Sequence, residues 1–177
     1  LCRLDRPLDW SLELADGSSR AGCVRSSDLT EGERCELDGR WLTRRLLVQA
    51  IYQHLQGGQA WQELYGQYGM DPTFARADAE YFRTALQAVC EGATGLDEAL
   101  RPFSNIATEH LDPIEHAILQ LGLWELMTRP DIPYRVVINE AVELAKRYGA
   151  TDGHRYVNAV LDQASRTHRA PERGEVA

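Results

Sequence analysis

The sequence lacks the features that mark several large classes of protein. Its four cysteines do not follow the CxxC or Cys/His spacing of a zinc site. No uninterrupted apolar run approaches 18 residues, so a membrane-spanning helix is not expected. The first residues show no basic stretch followed by an apolar one, so a secretory signal is not recognised either. These absences predict a cytoplasmic protein with free thiols.

Enzyme signatures are missing as well. No segment matches GxSxG, GxxxxGK[ST], GxGxxG or HExxH. The five histidines do not form the helical ligand spacing of a zinc or di-iron site. Glu140 and Glu143 lie three residues apart, a spacing that is more typical of a solvated helix face than of a catalytic carboxylate pair. We therefore expect no catalysis and no cofactor.

Lysine is almost absent, because all but one of the 19 basic residues are arginines. Arginine binds phosphates through a planar fork and stacks on bases, which the ammonium group of a lysine does less well. The formal net charge of −8 argues against a protein that binds nucleic acid over its whole surface. A local basic patch remains compatible with this composition.

The two ends of the chain differ in composition from its middle. Residues 1–39 are rich in Ser, Gly, Asp and Glu, and their apolar residues follow no regular period. Such a segment buries too little surface to offset the entropy of ordering it. We predict a disordered or non-native extension over residues 1–39, a folded domain over residues 40–166 and a flexible tail over residues 167–177.

The middle of the chain reads as helix almost throughout. Apolar residues recur at helical spacing, and no stretch shows the alternation of a half-buried strand. The last helix, for example, has Val157, Val160, Leu161 and Ala164 on its inward face. The pattern predicts an all-α fold of about seven helices packed as bundles. The predicted helices cover residues 42–56, 61–68, 72–93, 96–103 and 113–127, followed by two more on either side of Gly149, which is expected to end its helix in a left-handed conformation.

The segment "LDPIEHAILQLGLWELM" is predicted to form the central helix. Asp112 stands at the N-cap, Pro113 at the first helical position and Glu115 at the third, which is a capping-box arrangement. The body of this helix is apolar nearly all round, so we expect it to be buried on every side.

A cluster of arginines stands near the predicted start of the first core helix. In "RWLTRR", Arg40 and Arg44 lie one turn apart on one face, and Arg45 is adjacent. One interpretation is a solvated basic face. The other is that these arginines and the helix N-terminus bind phosphates. The residues alone leave both interpretations open.

Three longer segments resemble one protein family. These are "RRLLVQAIYQ", "DPIEHAILQLGLWEL" and "DIPYRVVINEAVELAKRYGATDGHRYVNAVLD". Their order and spacing resemble the NusB family of bacterial transcription antitermination factors, over residues 40–166. The resemblance implies two packed helical bundles, no catalysis and no cofactor. It also implies pairing with NusE, a small-subunit ribosomal protein, binding of boxA RNA in nascent ribosomal RNA, and assembly into an antitermination complex on RNA polymerase.

The resemblance assigns roles to particular positions. Those implied to contact RNA are Arg40, Arg44, Arg45, Tyr52, Glu115, Tyr148 and Tyr156, and those implied to contact the partner are Asp152 and Glu115. Several of these have a structural explanation too, since Glu115 fits a capping box, Asp152 an N-cap and Tyr148 the core. The arginine run is denser in the family, whereas here Trp41, Leu42 and Thr43 interrupt it.

Two other functions stay open at this stage. The fold implied by the resemblance also occurs as the N-terminal RNA-binding domain of ribosomal RNA cytosine methyltransferases. Some relatives are thought to self-associate, so the chain could also be a helical oligomerisation module. The sequence does not rank a monomer against a homodimer.

Overall fold

The computed structural model describes residues 31–174, and it describes side chains from residue 39 onward. This part of the chain contains seven α-helices, two short 3-10 helices and no strand, so the predicted all-α fold is confirmed. The α-helices are α1 (Glu31–Gly57), α2 (Trp61–Gly69), α3 (Ala79–Leu100), α4 (Pro113–Thr128), α5 (Tyr134–Tyr148), α6 (Gly153–His168) and α7 (Ala170–Arg173). The 3-10 helices are Pro72–Arg76 and Thr108–His110.

Helix α4 lies at the centre of the fold. It contacts the pair α1 and α3, which pack on each other, and the pair α5 and α6, which also pack on each other, so the two bundles share it. Every residue from Ala117 to Leu126 is buried, as its all-round apolar sequence predicts. None of the described helices is long and apolar enough to cross a membrane.

The start of α4 confirms half of the predicted capping box. The Asp112 carboxylate accepts hydrogen bonds from the backbone N–H groups of Ile114, at 2.9 Å, and Glu115, at 3.3 Å. The Glu115 side chain does not close the box. Its carboxylate instead accepts a hydrogen bond of 3.2 Å from the backbone N–H of Ala150, in the turn between α5 and α6. Glu115 therefore fastens that turn to the central helix.

Helix α1 is longer than its apolar stripe predicted. It begins at Glu31, so residues 31–39 are helical although they were predicted to belong to a disordered extension. The remainder of that extension, residues 1–30, lies outside the described residues. Because Arg40 now stands in the third turn of α1, the arginines are not at a helix N-terminus. The dipole argument for anion binding at Arg40 and Arg44 is therefore wrong.

The predicted helices at 72–93 and 96–103 have different bounds in the structure. A 3-10 helix covers Pro72–Arg76, and α3 begins only after Asp78, whose carboxylate accepts a 3.0 Å hydrogen bond from the backbone N–H of Tyr81. From there α3 continues without a break to Leu100. Sequence periodicity followed the apolar residues and overlooked the N-cap.

The C-terminal residues are not a flexible tail as far as residue 174. Helix α6 extends to His168, α7 follows, and Arg169, which stands between them in sequence, has a buried side chain. Helix C-termini leave backbone carbonyls without intrahelical donors, and the Arg169 guanidinium supplies those donors at the end of α4. It donates to the carbonyl oxygens of Glu125, Leu126, Arg129 and Ile132, at 2.5–3.1 Å. Residues 175–177 lie outside the described residues.

The turn between α5 and α6 differs from its prediction. Gly149 has a φ of −81°, so it is not the left-handed stop expected there. A Cβ at this position would lie 2.7 Å from the carbonyl oxygen of Ala145, so glycine permits a close approach of the backbone. The left-handed residue is Asp152, with a φ of 67°.

Candidate nucleic-acid interface

Helix α1 leaves one stripe of its surface uncovered by the bundle. From Leu42 to Ile51 the residues between the stripe positions are buried, while the stripe carries half-buried or exposed side chains spaced three or four residues apart. At about 1.5 Å of rise per residue, the stripe measures about 16 Å from Trp41 to Tyr52. Its members are Trp41, Arg45, Gln49, Tyr52 and Gln56.

Trp41 lies at the centre of a group of cations and rings from two helices. The guanidinium carbon of Arg45 lies 5.8 Å from the centroid of the Trp41 ring, and that of Arg147, on α5, lies 5.4 Å from it. Arg147 also lies 5.9 Å from the ring centroid of Tyr148, the last residue of α5. We call Trp41, Arg45, Arg147 and Tyr148 the arginine–aromatic cluster. These distances fall within the range of cation–π attraction.

Arg45 lies in this cluster without a carboxylate partner among the described residues. Its Nε atom is buried without a hydrogen-bond partner, and none of the described carboxylates forms an ion pair with it. An aromatic ring holds a guanidinium in place without neutralising it, whereas a carboxylate does both. Among the ion pairs between described residues, a carboxylate lies within 4.0 Å of Arg44, Arg129, Arg155, Arg166, Arg169 and Arg173.

Arg44 is not on the surface, so the prediction that it shares an exposed face with Arg40 is wrong. Its exposed fraction is 4%, and its Nε donates a 2.8 Å hydrogen bond to the carboxylate of Glu125 on α4. The same carboxylate accepts a hydrogen bond from the Tyr81 hydroxyl of α3. A second carboxylate, that of Glu140 on α5, lies 3.7 Å from the Arg44 guanidinium. Arg44 therefore joins four helices in the core and does not present its charge to a ligand.

The carboxylates of Glu125 and Glu140 share a single guanidinium, that of Arg44. Burial raises the pKa of Glu140, and nearby Glu125 raises it further, against the opposing effect of Arg44. One oxygen of Glu140 is also buried without a hydrogen bond among the described residues. The pKa of Arg44 is itself raised, because the attraction of Glu125 and its neighbours exceeds the opposing effect of burial.

Arg40 is exposed and lies outside the stripe. With about 100° of rotation per residue, it points well away from Trp41, its neighbour in sequence. The pKa of Asp131 is lowered to about 2, mainly by a hydrogen bond from Arg129 and in small part by the charge of Arg40. Arg40 is therefore within electrostatic reach of the connection between α4 and α5.

The three predicted tyrosines do not form one patch. Tyr52 and Tyr148 are half-buried and pack against the core. Tyr148 contacts Arg147 and so belongs to the cluster. Tyr156 lies elsewhere, since its hydroxyl is 2.5 Å from the hydroxyl of Ser104, in the connection between α3 and α4.

The two predicted acidic contacts differ in their surroundings. Glu115 is only 7% exposed, and burial raises its pKa while the hydrogen bond from the Ala150 backbone opposes that change. The prediction that Glu115 offers its carboxylate to RNA or a partner does not fit this burial. Asp152 is exposed at the N-cap of α6, and its side chain makes no cap hydrogen bond. It lies 3.5 Å from Arg155 and remains available for contact.

Sequence reasoning missed two members of the cluster. Trp41 was treated as an interruption of the arginine run, although its spacing of four residues from Arg45 would place the two side chains together on a helix. Arg147 stands 106 positions after Trp41, and no local pattern could have indicated their contact. Among the described residues, no group of three or more His, Cys, Asp or Glu side chains is placed to hold a metal ion.

Comparisons with known proteins agree with this architecture. The NusB family model matches residues 42–166. The transcription antitermination protein NusB of Pseudomonas syringae pv. tomato is 44% identical over 140 residues, which cover 79% of this chain and 83% of that protein. The protein of the same name from Alcanivorax borkumensis is 45% identical over 132 residues, which cover 75% of this chain and 88% of its own.

A solved structure shares the fold. The structure of T. maritima NusB superposes with a TM-score of 0.66 at 28% sequence identity, over 77% of this chain and 97% of its own. These relatives carry the name of an antitermination factor and not of an enzyme, which confirms the prediction that the chain is not an enzyme. The chain belongs to the NusB family.

Proposed function

We propose that this chain is a transcription antitermination factor that pairs with NusE and binds boxA-type RNA. Its similarity to proteins named for antitermination supports the process. The arginine–aromatic cluster supports the ligand, and it is the observation that carries the proposal. Transcription takes place in the bacterial cytoplasm, so the proposed function also implies that location.

The chemistry of the cluster suits single-stranded RNA. Proteins recognise single-stranded RNA by stacking bases on aromatic rings and guanidinium planes, and by contacting phosphates with cations. Trp41 and Tyr148 supply rings, and Arg45 and Arg147 supply guanidinium groups within 6 Å of those rings. Tyr52 continues the same stripe of α1 and extends the surface along the helix.

Because this basic surface is small, we propose that tight RNA binding also requires a protein partner. A net charge of −8 opposes the approach of RNA everywhere except at the local patch. We expect the pair with NusE to bind boxA RNA at least about tenfold more tightly than the chain alone, which is about 1.4 kcal/mol of coupling. Asp152 is exposed four residues after Tyr148, the member of the cluster that ends α5. Of the two predicted acidic residues, Asp152 is better suited to a partner contact than Glu115.

Titration of labelled boxA RNA with the chain, with and without NusE, tests the proposal. The double variant Arg45→Gln with Arg147→Gln should weaken binding and reduce the salt dependence by about 0.7 per lost phosphate contact. Arg83→Gln is the matched control, since Arg83 is exposed on α3 and is not a member of the cluster. Equal affinity and salt dependence for the double variant and the control would contradict an RNA site at the cluster.

A further inference from the structure

We propose that Trp41 stacks on a base of the bound RNA, while Arg45 and Arg147 hold its ring and contact the flanking phosphates. This inference rests on the proposed function and names the residue of the cluster that reads a base. No charge pattern points to Trp41, and the sequence alone presents it as a gap between arginines.

The surroundings of Trp41 distinguish it from the other described tryptophans. Trp124 is 6% exposed and lies in the core. Trp61 packs against the core, and its indole N–H donates a 2.9 Å hydrogen bond to Glu91. Trp41 is not among the partly buried rings that pack against the core, and its N–H has no hydrogen-bond partner among the described residues. Its characterised contacts are the two guanidinium groups.

The position of the Trp41 ring limits its contribution to the stability of the fold. Tryptophan contributes most to stability when its 150–250 Å² or so of surface is buried in a core and its N–H is bonded. Trp41 is half-buried, lies outside the core cluster and has no hydrogen bond to its N–H among the described residues, so part of its ring is available for a partner that has both a flat face and an acceptor. A nucleotide base offers both, and it is flanked by phosphates that match the two arginines.

The two arginines also orient the ring for such a partner. Each guanidinium lies within 6 Å of the ring centroid, one from the same helix and one from α5, so residues of two helices hold the ring. A ring that is held in place loses less side-chain entropy when it stacks on a base than a freely rotating one does. The cations also place positive charge beside the stack, where the RNA backbone passes.

An alternative role for Trp41 is to clamp α1 against α5. The two roles predict different effects of substitution. A clamp would lose stability and would leave the affinity of the folded protein for RNA unchanged. A stacking residue would lose affinity with little change in stability, because the ring contributes little to the core.

The experiment measures boxA RNA affinity of the complex with NusE for Trp41→Phe, Trp41→Leu and the wild type. Stacking on an aromatic ring contributes about 1–3 kcal/mol per base, so Trp41→Leu should weaken binding by roughly 5- to 150-fold. Trp41→Phe should retain most of the affinity, because it keeps an aromatic face. The salt dependence should not change in either variant, since neither alters a charge.

A second set of RNA probes tests the stacking directly. In each probe, one nucleotide of the boxA RNA lacks its base. At the nucleotide that stacks on Trp41, the abasic probe should bind wild type and Trp41→Leu with equal affinity, whereas at other positions the loss from Trp41→Leu should persist. Circular dichroism and urea unfolding verify that the variants are folded.

The outcomes separate this inference from the proposed function. If the wild-type complex binds boxA RNA and Trp41→Leu binds it equally well, the stacking role is overturned and the proposed function stands. The same holds if the loss from Trp41→Leu persists with every abasic probe. If the wild-type complex does not bind boxA RNA, the proposed function is overturned and this inference with it.

Discussion

Replacing Arg44 should unfold the protein more readily and should not act on RNA directly. Arg44 is 4% exposed, and its Nε lies 2.8 Å from a carboxylate of Glu125, which is itself only 1% exposed. The substitution Arg44→Ala would leave Glu125 buried without its cation and Glu140 without its nearest positive charge.

The magnitude follows from that burial. Removing one partner of a buried ion pair costs about 3–5 kcal/mol, because the remaining charge is uncompensated. For a domain of this size, a loss of 1 kcal/mol lowers the midpoint of thermal unfolding by about 2–4 °C, so we expect that midpoint to fall by roughly 6–20 °C. Arg44→Glu should cost more, since it would place a third carboxylate beside two others.

Urea unfolding of Arg44→Ala and of the exposed control Arg83→Ala measures the effect. A double variant with Arg44→Met and Glu125→Met should recover much of the loss, because it removes both buried charges and keeps their volume. Below the unfolding transition, Arg44→Ala should bind boxA RNA as the wild type does. The reasoning would be refuted if Arg44→Ala were as stable as the control and bound RNA more weakly by orders of magnitude. That result would show that Arg44 contacts RNA.

Three further predictions concern groups outside the RNA surface. Glu140→Gln should raise the free energy of unfolding at pH 7 and change it little below pH 4.5, the ordinary pKa of a glutamate. The pKa of Glu140 is raised in the folded state, so the wild type loses stability as the pH rises from 4.5 through that raised pKa, and glutamine does not titrate. Urea unfolding across pH tests this, and a variant less stable than the wild type at pH 7 would contradict it. Arg169→Ala should lower the free energy of unfolding by at least about 3 kcal/mol in the same assay, because the carbonyls at the end of α4 lose their hydrogen-bond donor. An unchanged unfolding midpoint would show that the residues after α6 do not stabilise the fold. Gly153→Ala should destabilise by about 1–3 kcal/mol because its Cβ would clash with the Glu115 carboxylate, and adding Glu115→Ala should relieve the loss. Additive losses would exclude that clash.

Periodicity predicted the parts of the fold that depend on local pattern. The all-round apolar sequence of α4 predicts its central position, and the stripe of α6 predicts four of the six residues that are buried there. Asp112 is recognisable as an N-cap because its carboxylate bonds to backbone groups two and three residues away. Each of these features is determined by neighbours in sequence.

Several of the errors share a physical cause, which is contact between residues distant in sequence. Arg44 reads as an exposed cation until Glu125, 81 positions later, is placed beside it. The residues after α6 read as a tail until Arg169 meets the carbonyls at the end of α4. The contact between Trp41 and Arg147 is of the same kind. A charge pattern records which groups are present and not which of them are already paired inside the fold.

The most direct test of the RNA interface is to cross-link boxA RNA to the complex with NusE and identify the attached peptides. RNA containing 4-thiouridine is irradiated, and the cross-linked peptides of this chain are sequenced by mass spectrometry. We predict cross-links to the peptides of α1 and α5 that contain Trp41 and Tyr148. Cross-links confined to the exposed face of α3 around Arg83, with none in α1 or α5, would contradict the assignment of RNA binding to the arginine–aromatic cluster.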